Sequence, residues 1–254
     1  AGYTGAGSVT IPQGAFNDAA GNLSTSQYTL PLSIDMVAPT VVSVVTNPTV
    51  GKLKDGESAT LTFTLSESVT GFGAEDVTVN GVTASGLSNF GGTGTTYTAT
   101  YTPPTGTGTA VITVPAGGFA DAGGNLNRTS GATLSLPYDT VRPTLSLSAD
   151  VTALNASTST ATISFTVSEA MTDFGSDVVQ VAGGVLSGFG GTGTTYTATF
   201  TPNAGYTGAG SLTIGTGVFS DAAGNRSTSQ YTLPLTIDMV APTVVSVVTN
   251  PTVG

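Results

Sequence analysis

The chain repeats itself, and that property constrains its fold more than any other. Residues 1–51 and 204–254 align without a gap at an offset of 203 residues. They differ at seven positions only: Val9/Leu212, Pro12/Gly215, Gln13/Thr216, Ala15/Val218, Asn17/Ser220, Leu23/Arg226 and Ser33/Thr236. A more divergent copy lies between them. The loop Phe16-Asn-Asp-Ala-Ala-Gly-Asn22 returns as Phe119-Ala-Asp-Ala-Gly-Gly-Asn125 and as Phe219-Ser-Asp-Ala-Ala-Gly-Asn225. The linker Asp35-Met-Val-Ala-Pro-Thr40 returns as Asp139-Thr-Val-Arg-Pro-Thr144 and Asp238-Met-Val-Ala-Pro-Thr243. Asp18, Asp121 and Asp221 stand 103 and 100 residues apart, which sets the length of one unit. Boundaries fall at the X-Pro linkers, where proline keeps the preceding residue extended. The chain then comprises the C-terminal part of one repeat (1–38), two complete repeats (39–141 and 142–241) and the first strand of another (242–254). Neither end fragment has enough strands to close a core alone, so each calls for residues it lacks or for a neighbouring molecule.

Within one unit the pattern is that of strands. Ala59, Leu61, Phe63 and Leu65 alternate with Thr60, Thr62, Thr64 and Ser66, a period of two with one face buried and one wet. Val41–Val45 precedes this segment. Val77–Val79, Gly86–Phe90, Thr95–Thr102, Ala110–Val114 and Thr133–Leu136 follow it, with a glycine-rich turn expected at Gly91–Gly94. Tyr97, Ala99 and Tyr101 point to one side of their strand. The second unit copies the arrangement at Thr162–Val167, Val178–Val181, Thr194–Thr201, Ser211–Ile214 and Thr232–Ile237. Thr, Val, Ser, Ala and Gly dominate and 39% of residues are hydrophobic, enough for a core without helix-forming runs. The fold expected is all-β: tandem immunoglobulin-like β-sandwiches of about seven strands each, in Greek-key order, end to end.

Four elements together carry a resemblance. They are Leu65-Ser-Glu67 with Phe72 and Asp76-Val77, the run Asn89-Phe-Gly-Gly-Thr-Gly-Thr-Thr-Tyr-Thr-Ala-Thr100, the Asp-x-x-Gly-Asn loop, and the Asp-x-x-x-Pro-Thr linker. The chain resembles, over its whole length, the bacterial immunoglobulin-like domains that build extender regions of giant surface adhesins, including adhesins secreted by type I systems. The resemblance implies an extracellular, bacterial cell-surface location and linkers stiffened by calcium.

The scarce charges are placed unevenly. Only 8% of residues are charged, and ten of the fifteen acidic ones recur between copies: Glu67/Glu169, Asp76/Asp177, Asp18/Asp121/Asp221 and Asp35/Asp139/Asp238. In a sandwich of this topology the second strand ends at Glu67, the third begins beside Asp76 and the sixth delivers Asp121, all to one pole. The linker from the preceding repeat brings Asp35 to the same pole. Crowded carboxylates are costly without a cation, and Ca²⁺ takes six to eight oxygen ligands. The sequence therefore predicts one Ca²⁺ per junction, held by Asp35, Glu67, Asp76 and Asp121 and then by Asp139, Glu169, Asp177 and Asp221. Asp18 and Asp238 occupy the matching positions of the partial copies. The competing reading makes these acids solvated pole charges, with Asp121 and Asn125 as turn formers. Arg142 stands where the other linkers carry Ala38 and Ala241, and would pair with Asp139 to weaken that site.

Several functions are excluded by what the chain lacks. With no His and no Cys, the usual general base, thiol nucleophile, disulfide staple and thiolate metal site are all missing. Five basic residues against a net charge of −10 repel nucleic acid and anionic membranes. No apolar run is long enough to span a membrane. The runs beginning at Phe90 and Phe189 lack a Lys and lead into strands, so they are hairpin turns and not phosphate loops. The sequence reading is a non-enzymatic stalk, whose partners are the neighbouring repeats of its own chain. The alternative is a unit of a self-assembling extracellular filament or biofilm-matrix fibre, in which identical chains complete one another's ends.

Overall fold

The computed structural model describes residues 2–47, 49–128, 131–171 and 173–248. The chain divides into two compact units, Ala1–Thr140 and Val141–Gly254. The first unit opens with a hairpin of β1 (Thr4–Ile11) and β2 (Tyr28–Asp35), paired antiparallel from Thr4↔Asp35 to Ile11↔Tyr28. The strands that follow are β3 (Val41–Thr46), β4 (Leu53–Lys54), β5 (Ala59–Leu65), β6 (Val69–Thr70), β7 (Thr78–Val79), β8 (Val82–Thr83) and β9 (Leu87–Thr93). Then come β10 (Thr96–Tyr101), β11 (Thr107–Thr113), β12 (Ala120–Asp121) and β13 (Leu134–Asp139). One sheet runs β3-β5-β10-β9 and the other β4-β13-β11-β7-β8, with β6 and β12 forming a short separate ladder. This is the two-sheet, Greek-key immunoglobulin sandwich.

The second unit contains β14 (Leu145–Ala149), β15 (Ala153–Asn155), β16 (Ala161–Val167), β17 (Val179–Ala182), β18 (Gly184–Thr192), β19 (Thr195–Pro202), β20 (Thr207–Ile214) and β21 (Tyr231–Asp238). Its sheets are β14-β16-β19-β18 and β15-β21-β20-β17. Residues 241–248 pair with no strand, and Val244, Val245, Val247 and Val248 are exposed; residues 249–254 lie outside the described residues.

Alternation builds both cores. Ala59, Leu61, Phe63 and Leu65 on β5 are buried, as are Ala161, Ile163, Phe165 and Val167 on β16. Tyr97, Ala99 and Tyr101 enter the first core from β10. An aromatic group ties the loops to that core: Phe72 meets Tyr97 edge-on at 5.0 Å and Phe119 at 4.7 Å between ring centroids. Such pairs are worth about 0.5–1.5 kcal/mol beyond the area they bury. Phe72 and Phe119 lie in the two segments that lead to the pole, so the core fixes where those segments end.

Two features depart from the sequence reading. The strand β9 continues through Gly91, Gly92 and Thr93, so the turn expected at Gly91–Gly94 contracts to Gly94 and Thr95. The reason is a register shift opposite Thr98–Thr100, which lets the Gly92 backbone press against β10. The second is β4. It pairs in parallel with β13, Leu53↔Tyr138 and Lys54↔Asp139, and two residues are too few to show a period.

Candidate metal centre

Three chain segments deliver carboxylates to one pole of the first unit. β5 ends at Leu65, and the Ser66 N–H donates to the Thr40 carbonyl at 2.9 Å, turning the chain outward at Glu67. β6 then pairs with β12, with Asp121 opposite Val69, so Asp121 arrives two residues from Glu67 along the ladder. Asp35 ends β2 opposite Thr4. Its carboxylate accepts from the Thr4 hydroxyl at 2.8 Å and from the Val37 N–H at 3.2 Å. Asp35, Glu67 and Asp121 each present an oxygen within 4.8 Å of the others.

Asn125 ties these segments together. Its side-chain amide donates to the Asp121 carboxylate at 2.9 Å and to the Asp35 backbone carbonyl at 3.1 Å. Its own N–H donates to the other Asp121 oxygen at 2.9 Å. Gly123 is required beside it: a Cβ there would lie 2.9 Å from the Asp35 Cβ. Asn127 fastens the base of the same loop, accepting the Gly118 N–H at 2.8 Å and donating to the Pro115 carbonyl at 2.8 Å. Asn127 is buried, so the sequon it begins is closed to an external enzyme.

The electrostatics divide the three acids. Asn125, chiefly through its side chain, holds the Asp121 carboxyl below the usual carboxylate range. Desolvation pushes Glu67 up, and the charges of Asp121 and Asp35 push it further. Among the described residues none of the three acids forms an ion pair. A fixed anion beside a carboxyl that resists ionising is what a missing cation would produce, since a divalent ion would reverse the Glu67 shift. Three carboxylates offer up to six oxygens of the hard type Ca²⁺ prefers, and the open cleft lined by Ser33, Asp35 and Gly123 leaves room for water.

Asp76 is not brought into this group. It lies in a short 3₁₀ turn, Ala74–Asp76, where its carboxylate accepts the Gly73 N–H at 2.9 Å and packs against Gly118. Burial pushes its pKa up. Asp18 sits in an exposed loop and folds the loop on itself, accepting from the Asn22 side chain and the Ala20 N–H at 2.9 Å each.

The other predicted acids occupy matching local settings. Asp139, buried at the end of β13, accepts from the Thr107 hydroxyl at 2.9 Å and from the Lys52 ammonium at 3.3 Å. Asp238 accepts from the Thr207 hydroxyl at 3.1 Å and the Val240 N–H at 3.2 Å. In the second unit Asp221 is buried and accepts from the Asn225 side chain at 2.7 Å. It faces Met171 across a bridge, which sets Glu169 two residues away along the chain. Asp177 lies in the 3₁₀ turn Ser176–Val178, as Asp76 does in the first unit. Arg142 donates to the Arg226 carbonyl at 3.2 Å.

Residue-type reasoning missed three threonines. Thr4, Thr107 and Thr207 each start a strand directly opposite a linker aspartate and hold its carboxylate. The signal was available as the Thr-Gly that opens all three copies, but in a threonine-rich chain it does not stand out. Asn125 was noted only as a turn former.

This is the geometry on which the comparisons bear. The bacterial Ig-like domain family matches residues 35–138 and again residues 139–237. The chain belongs to that family. Its bacterial Ig-like repeats stand in tandem, each match beginning at a linker aspartate that the geometry singles out. No curated protein matches the chain. Among solved structures, the I9–I11 tandem from titin aligns over 93% of this chain and 94% of its own, at 10% identity and a TM-score of 0.32. Invasin, a bacterial integrin-binding protein, aligns over 93% of this chain at 16% identity and a TM-score of 0.39, the chain spanning 54% of that structure. The adhesin InvE of Yersinia pseudotuberculosis aligns over 76% of this chain and 58% of its own at 18% identity, with a TM-score of 0.28.

Proposed function

We propose that this chain is a non-catalytic spacer from a bacterial cell-surface adhesin, whose tandem Ig-like repeats are stiffened by Ca²⁺ at their junctions and hold a binding module away from the cell. The observation that carries the calcium reading is the meeting of Asp35, Glu67 and Asp121 within 4.8 Å, drawn from a linker, a strand end and a loop, without a basic partner. A cation there joins the linker to the repeat that follows it. The same roles pass by repeat position to Asp139, Glu169 and Asp221, with Lys52 as an added positive charge at Asp139. Asp76 and Asp177 brace their turns on this reading and are not ligands. Asp18 and Asp238 hold the loop and linker roles in the partial copies.

The spacer role is supported by composition and repetition. Each repeat touches chiefly its neighbours, so length grows by copying a unit, and near-identical copies are tolerated. No helix among the described residues is long and apolar enough to cross a membrane. Small-angle scattering with calcium and with a chelator tests the reading. Calcium should narrow the distribution of shapes towards a stiffer particle, reversibly, and the Glu67→Gln variant should not respond. A scattering profile indifferent to calcium would count against it.

A further inference from the structure

The two nearly identical hairpins of this chain meet opposite fates. In the second unit β20 and β21 bury Leu212, Ile214, Phe219 and Leu235 at 0%, 0%, 0% and 3% exposure. Their counterparts in β1, β2 and the loop between them are Val9, Ile11, Phe16 and Leu32, exposed at 55%, 47%, 59% and 40%. Sequence does not explain the contrast, because Val9/Leu212 is the only one of these four pairs that differs. What differs is the cover. In the second unit Ile163, Phe165, Phe174 and Phe200 close over the apolar face, with Phe174 edge-on to Phe219 at 5.5 Å.

The edges tell the same story. β21 carries β15 in parallel along its outer side, Ala153↔Thr236 to Asn155↔Asp238. β20 carries β17 antiparallel, Val179↔Ile214 to Ala182↔Ser211. β1 and β2 pair only with each other, so both outer edges are bare. An open apolar face flanked by two bare edges is a template for strand addition.

We propose that the β1–β2 hairpin is an acceptor surface for a polypeptide with the strand pattern of residues 143–202, supplied by another chain built of the same repeat, and that the two together close a further sandwich. The second unit supplies the register. A segment equivalent to Val179–Ala182 adds to Ser8–Ile11, one equivalent to Ala153–Asn155 adds to Ser33–Asp35, and the Phe174 equivalent covers Phe16. Because β2 ends in Asp35, closing this sandwich orders the segment that carries a candidate calcium ligand.

The test uses the full chain and a fluorescent polypeptide of residues 143–202, diluted from denaturant in the presence of chelator so that the outcome does not depend on calcium. A one-to-one complex is expected, with hydrogen exchange at residues 4–35 slowed to the rate seen at 207–238. The double variant Phe16→Asp and Leu32→Asp alters only side chains exposed in the free chain, and should bind at least about tenfold more weakly. A second arm joins residues 143–203 directly ahead of Ala1, reproducing the continuity of Asn203 with Ala204. It should add one cooperative unfolding transition and protect residues 4–35. Absence of a complex, equal binding by the double variant, self-association of the unmixed chain through this face, or unprotected 4–35 amides in the fused chain would each overturn the proposal.

Discussion

Gly91 and Gly92 are neighbours in one strand, yet the structure assigns them opposite tolerances. An alanine Cβ at Gly91 would meet nothing within 4 Å. At Gly92 it would lie 2.4 Å from the Thr96 carbonyl oxygen and 2.5 Å from the Tyr97 Cα, with φ at +151°. Both obstacles are backbone of the paired strand β10, which cannot rotate away as a side chain does. Overpacking of this kind costs about 1–3 kcal/mol. The backbone conformation adds about 1–2 kcal/mol for an L-residue, giving roughly 2–5 kcal/mol for Gly92→Ala. At about 4 °C or more per kcal/mol for a domain of this size, the first unit should melt roughly 10 °C lower or more. Gly91→Ala should stay within about 0.5 kcal/mol of the parent. Differential scanning calorimetry of the full chain reads both, with the second unit as internal reference. Gly191→Ala should reverse the pattern, since its Cβ would sit 2.3 Å from the Thr195 carbonyl oxygen. A harmless Gly92→Ala, or a Gly91→Ala equally costly, would refute the account of why the strand runs through this pair.

Further expectations concern the acidic pole. Glu67 has a folded-state pKa raised above 4.5, so without a cation the folded chain loses stability as pH rises through that range and keeps the deficit above it. Glu67→Gln should therefore stabilise the chain in chelator at neutral pH, and the gain should vanish below pH 4.5, as read by denaturant unfolding across pH. Asp121 acts in the opposite sense: its lowered pKa contributes stability above 3.8 that is lost as pH falls through the folded value. Asn125→Ala removes the donor shared by Asp121 and Asp35. It should move the Asp121 titration upward by NMR and weaken calcium binding by calorimetry, leaving the second unit's melting unchanged. Lys52→Met frees Asp139 of a positive charge 3.3 Å away. It should strengthen calcium binding at the second junction and not at the first, a difference that titration calorimetry resolves.

How much of this was legible in the sequence depends on whether a feature lives in a period or in a single contact. The alternation on β5 and β16, repeated at about the same spacing, implied the sandwich because one face of each strand had to be buried. Topology alone then carried Glu67 and Asp121 to one pole and brought the linker with Asp35. It failed for Asp76, whose carboxylate is satisfied locally by the Gly73 N–H, since a short turn competes with any distant partner for the same oxygens. The roles of Asn125 and of Thr4, Thr107 and Thr207 depend on cross-strand register, which residue identity does not disclose. Gly92 was read as turn and not strand for a related reason: glycine marks both a reversal of direction and a close approach of two backbones.

The central claim is that a cation completes the pole where Asp35, Glu67 and Asp121 meet. Thermal unfolding of the full chain, in millimolar calcium and then in chelator, tests it most directly. A ligand that binds only the folded state raises the midpoint in proportion to the logarithm of its concentration. We expect such a rise for the parent chain, and its loss from the first unit when Glu67→Gln is combined with Asp121→Asn. A midpoint indifferent to calcium, or one that rises equally in the double variant, would contradict the claim and leave the pole carboxylates as solvated charges.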